Sequence, residues 1–179
     1  MRRLVLLVFI AFLALPVRAD EKKRKPPKRP DEPFVIFVDA RPKGEAKAVE
    51  AIWEAREELE KKLRKKKKWF RIGESADSAE LVVTLEAYWV REERRTHDQT
   101  HVAGGNTHTV QVDTLYEYHS LRSTVTILGA PHEMTGTQMK RGRGTPKGAA
   151  SDLANRLERY CKENYWELDE RRRARAAPR

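Results

Sequence analysis

The sequence predicts an α+β domain of two layers, with two helices packed on one face of a four- or five-stranded mixed, mainly antiparallel sheet. Three observations carry this. Over 81–90 the odd positions Leu81, Val83, Leu85, Ala87 and Trp89 are all apolar and the even ones mixed, the period of two of a half-buried strand. A second long segment, 116–128, repeats the pattern with Leu121, Val125 and Ile127. Two other stretches, 44–67 and from Ala150 onward, carry apolar residues at a period of 3.6.

Arg2 and Arg3, an apolar run over 4–15 and Val17-Arg18-Ala19 form a secretory leader over 1–19, cleaved before Asp20. The run is shorter than the about 20 residues that span a bilayer, so the mature chain is expected without a transmembrane segment, exported to the periplasm or beyond the cell. Residues 20–33, with four prolines among charges, read as a disordered linker. A single domain follows over 34–168, and 169–179 reads as a basic disordered tail.

The lone cysteine, Cys161, has no disulfide partner within the chain, so the hydrophobic core must hold the domain. It falls on the second helical stripe and reads as a buried, inert thiol. The net charge of +10 suggests nucleic acid, but the folded part argues against it. Residues 34–168 hold 23 basic and 21 acidic residues; the excess lies in the leader, linker and tail. The two polar tails suit loose, salt-dependent polyanion binding.

Residues 34–38 are continuously apolar and suit a strand that is buried on both faces or centrally placed. In the first helix, Ala48, Val49, Ile52, Ala55, Leu59 and Leu63 share one stripe. Its acids precede its bases, which complements the helix dipole and accounts for the lysine run over 61–68 as a solvated helix end. Trp69-Phe70-Arg71-Ile72 form a short strand, and 132–140 an edge strand. The two long strands must place their odd residues on one face, so opposed residue numbers sum to an even value, as in Trp89 with Leu121 or Leu85 with Val125. A two-residue turn on Gly104-Gly105 gives an odd sum. The hairpin therefore requires an odd-length loop, a bulge or a disordered tip.

Three histidines and a carboxylate, His97, Asp98, His101 and His108, lie between the long strands, and such a set can bind Zn²⁺, Cu²⁺ or Ni²⁺. In an extended hairpin His97 and His101 stand about 13 Å apart, and without a bulge His101 and His108 point to opposite faces. Residues 142–148 are glycine-rich but lack the Gly-Lys-Ser/Thr of a nucleotide loop. No nucleophile–base pair or carboxylate pair is recognisable, so a non-enzymatic role is expected. The candidate binding surface is the sheet face that no helix covers, with Tyr88, Glu86, Tyr118, Arg122 and Thr124.

The strand over 34–39, the long helix, Ser75-Ala76-Asp77 leading to the strand at 81–90, a second long strand and the closing helix over 150–160 resemble small α+β modules of the bacterial cell envelope. Examples are the amino-terminal domain of TolB and the curli-assembly or penicillin-binding-protein-activator type. The resemblance implies binding or assembly with another envelope macromolecule. It departs from several of those modules in lacking a lipid-attachment cysteine, and no functional residue is carried over from them.

Overall fold

The computed structural model describes residues 25–141 and 144–177. The expected leader, the start of the linker and residues 142 and 143 of the glycine-rich connector lie outside the described residues. Five strands form one sheet in the order β2-β1-β3-β4-β5, from β1 (Phe34–Ala40), β2 (Phe70–Ile72), β3 (Leu81–Ala103), β4 (Asn106–Ile127) and β5 (Ala130–Arg141). β1 runs parallel to both β2 and β3, while β3-β4 and β4-β5 are antiparallel. The two-layer α+β architecture is as the sequence predicts. Among the described residues no helix is long and apolar enough to cross a membrane.

Helix α1 (Ala46–Lys65) buries Ala51, Ile52, Ala55, Leu59 and Leu63 against the sheet. Helix α2 (Pro146–Glu163) adds Ala149, Ala150, Leu153, Ala154, Leu157 and Cys161 to the same core. The sheet contributes Phe34, Ile36, Val38, Leu81, Val83, Leu85, Leu121, Val125 and Ile127, all essentially solvent-free. Burying side chains of this size contributes about 1.5–3 kcal/mol each relative to exposure, which is how a chain without a disulfide holds together. Burial pushes the Cys161 thiol up to about 12, consistent with an inert core residue. β1 is an inner strand, between β2 and β3, but it is not buried on both faces: only its even residues are buried, and Val35 and Phe37 are half-buried on the other face.

β5 is an edge strand, and Gly136 in it has a packing reason. A Cβ there would collide with the Ala149 carbonyl and the Leu153 side chain, so the glycine lets α2 approach the strand backbone closely.

The C-terminal end departs from expectation. In place of a disordered tail after Leu168, the chain turns at Asn164 and continues as α3 (Tyr165–Ala176). Its low amphipathicity hid it, since only Tyr165 and Leu168 are buried. The anchor is Arg172, which donates from Nε to Glu80 Oε1 at 2.5 Å and from Nη2 to Glu80 Oε2 at 2.8 Å. Its Nη1 donates to the Glu32 carbonyl, and its guanidinium lies 4.3 Å from the centre of the Phe34 ring. Glu80 Oε2 in turn accepts the Val35 amide. The end of the linker is held by the same group, and Pro30 is buried.

Removing one partner of a largely buried ion pair costs about 3–5 kcal/mol, and the pair here retains some solvent. Arg172→Ala should therefore lower stability by about 2 kcal/mol in urea unfolding, and removal of residues 169–179 by at least as much. Unchanged midpoints for both would show that α3 contributes nothing.

Candidate functional site on the open sheet face and hairpin arm

Both requirements noted for the β3-β4 pairing are met at once. Gly104 and Gly105 form a two-residue turn with φ of 60° and 82°, the positive values that a type I′ turn needs at both positions. Ala103 therefore pairs with Asn106, and the odd sum of 209 persists down to Ala87↔Arg122. Below that point the core pairs Leu85↔Ser123, Val83↔Val125 and Leu81↔Ile127 share an even sum of 208. The switch occurs at Glu86, the extra residue of a β-bulge. The expected core register is displaced by two residues, so Leu85 faces Ser123 rather than Val125.

The bulge exchanges two aromatic residues between faces. Tyr88, expected on the open face, is opposite Leu121 and packs against the core. Trp89, expected in the core, is opposite Ser120 on the open face and 44% exposed. Glu86, Arg122, Thr124 and Tyr118 do lie together on the open face. Thr124 Oγ1 donates to Glu86 Oε1 at 2.8 Å, and Arg122 Nε approaches Glu86 Oε2 at 3.7 Å.

Beyond the bulge the open face carries a ladder absent from the expected set. Arg91 lies over the Tyr118 ring at 4.8 Å and Arg95 over the Tyr116 ring at 5.4 Å. Arg95 also donates to the Tyr118 hydroxyl at 2.6 Å and to Glu93 Oε1 at 2.7 Å. That hydrogen bond from Arg95 is the main cause that holds the Glu93 carboxyl below its ordinary range. Alternating arginine and aromatic residues on a strand pair are the sequence signal for such a ladder, readable only once the register is known, since same-parity residues share a face.

The hairpin outruns its neighbours. β1 stops at Ala40↔Leu85 and β5 at Glu117↔Lys140, leaving the eleven pairs from Glu93↔Tyr116 to Ala103↔Asn106 as a two-stranded arm. At about 3.3 Å per residue the arm is roughly 36 Å long. An isolated two-stranded hairpin is marginally stable in water, so the Arg-Tyr ladder at its base is what stiffens it.

The arm separates the expected metal ligands. His101 is directly opposite His108, His97 is opposite Val112, and Asp98 is opposite Gln111 on the other face. The four do not meet, and among the described residues no group of three or more His, Cys, Asp or Glu is placed to hold an ion.

Tyr88 joins a buried polar chain on the helix side that sequence reasoning missed. Its hydroxyl donates to His119 Nδ1, while His119 Nε2 is 3.0 Å from Glu117 Oε2. An ionised carboxylate only accepts, so the imidazole proton sits on Nε2 and leaves Nδ1 free to accept from the tyrosine. Glu117 Oε2 also accepts the Gly144 amide at 2.8 Å, and a Cβ on Gly144 would strike the His119 ring. The chain thus fastens Gly144, just ahead of α2, to β4. Burial, with smaller contributions from the Glu117 and Glu54 carboxylates, pushes the Tyr88 phenol up to about 12. A phenol so held is not a nucleophile at neutral pH.

The chain matches no family model and no curated protein. Among solved structures it is similar to the dodecamer of a point-substituted PelC from Paraburkholderia phytofirmans, with 16% identity, a TM-score of 0.41, and 77% of this chain and 92% of that one covered. The PelC dodecamer from the same organism in a second crystal form gives 14% identity and a TM-score of 0.40 over the same shares.

Tyr88→Phe leaves His119 Nδ1 unsatisfied and should cost about 1–2 kcal/mol near neutral pH. Because the folded state holds the Tyr88 proton more tightly than an unfolded tyrosine with its ordinary value of 10, this stabilisation is complete below about pH 10. It is lost as pH rises through about 12. Urea unfolding of both proteins from about pH 8 to 11.5 should show the gap between them closing; a constant gap would contradict the account.

Proposed function

We propose that the protein is a non-catalytic binding or assembly module of the cell envelope, exported by its leader, which engages another macromolecule through the open sheet face and the hairpin arm. Trp89 is the observation that carries this reading. A tryptophan with nearly half its surface in solvent sits between Arg91, Tyr118 and Arg122 on a sheet face that no helix covers among the described residues. Trp, Tyr and Arg are the residues that dominate binding energy at protein interfaces. The surface is also pre-organised: Arg91 and Arg95 are stacked on tyrosines and the bulge sets the tryptophan's direction, which lowers the entropy lost on association. Glu86, Thr124 and Phe37 extend the same face toward β1.

The expected set loses one residue and gains four. Tyr88 leaves it, held inside by His119, and Trp89 with Arg91, Arg95 and Tyr116 joins Glu86, Tyr118, Arg122 and Thr124. The loose polyanion role of the two tails loses Arg172, which is engaged by Glu80.

A hot-spot tryptophan is worth about 2 kcal/mol or more to an interface, roughly thirtyfold in affinity. Affinity capture from a native envelope fraction should therefore recover a partner with the wild type and lose it at least thirtyfold with Trp89→Ala, Arg91→Glu. Equal recovery of the same partners by both would refute the surface named here.

A further inference from the structure

We infer that His101 and His108 form a two-imidazole chelating site for a late first-row divalent cation, with Cu²⁺ preferred, near the tip of the arm. The two residues face each other directly across β3 and β4 in the register set by the Gly104-Gly105 turn. Directly opposed residues project to the same face, with Cβ atoms about 5 Å apart, a span that two imidazoles close around one ion. Both are exposed, and among the described residues neither side chain has a hydrogen-bond or ion-pair partner to displace.

The same geometry decides which other residues take part. His97 shares the face but lies four residues along the strand, about 13 Å away, beyond reach of the same ion. Asp98 is on the opposite face, paired with Gln111. The face around the histidine pair holds Gln99, Val110 and Val112, so among the described residues it presents no carboxylate beside the pair. Two nitrogen donors with the remaining positions left to water suit Cu²⁺ best, since affinity for divalent ions at imidazole rises toward copper and copper accepts a tetragonal arrangement. Zn²⁺, which takes three or four protein ligands in its usual sites, binds more weakly here. The site is independent of what docks around Trp89.

Calorimetric titration of the full chain with Cu²⁺ at about pH 7.5 tests this, with His101→Ala, His97→Ala and a positional swap, Thr107→His with His108→Thr. The swap keeps the number of histidines and the length of the arm but moves one imidazole to the other face, since Thr107 is opposite Val102. Wild type and His97→Ala should bind one Cu²⁺ with equal affinity. His101→Ala and the swap should each lose at least tenfold. Wild-type affinity in the swap, or an equal loss in His97→Ala and His101→Ala, would overturn the site and leave only single exposed histidines binding metal.

Discussion

Everything distinctive about this molecule depends on one inserted residue, Glu86. The core demands that Leu81, Val83 and Leu85 share a face with Val125 and Ile127, an even pairing sum. The Gly104-Gly105 turn demands an odd one. With a side-chain period of two, no unbroken ladder satisfies both. The bulge reconciles them and leaves each half of the hairpin in its own register. Its consequences follow in order along the chain: Tyr88 turns inward, Trp89 turns outward, the arginine-tyrosine ladder lines up on the open face, and His101 meets His108 at the tip.

The bulge is supported on both sides. On the open face Glu86 is held by Thr124 and Arg122. On the helix side, immediately after it, Tyr88 is locked to His119 and through it to Glu117 and the Gly144 amide. The connector that carries α2 over the sheet is thus fixed to the segment that the bulge reorients. At the other end of the domain the Glu80-Arg172 pair joins the start of β3, the Val35 amide and α3. The hydrophobic layer lies between these two polar clamps, and the arm projects past the first of them.

Much of this was legible in the chain. Periodicity identified α1, the long strands and the side of β3 that meets the core below the bulge, because the odd positions Leu81, Val83 and Leu85 are all apolar while the even ones are mixed. Parity arithmetic showed that a bulge was one of three ways to accommodate the glycine pair. It did not show where the bulge lies, since 86–90 contains apolar residues at both parities and either assignment buries an aromatic ring. That ambiguity misplaced Tyr88 and Trp89, and with them part of the binding face. His119 and Glu117 were illegible for another reason: their partners, Tyr88 and Gly144, come from distant stretches brought together only by the register and the connector. The C-terminal helix was hidden because its anchor is a single arginine rather than an apolar stripe.

The reading of the open face and of the arm stands on the register change, and cross-strand backbone NOEs in the labelled protein test it most directly. The account predicts Hα contacts consistent with Val83↔Val125 below Glu86 and with Thr100↔Thr109 and Val102↔Thr107 above it. One continuous pairing sum from Leu81 to Ala103 would contradict it, and would return Trp89 to the core.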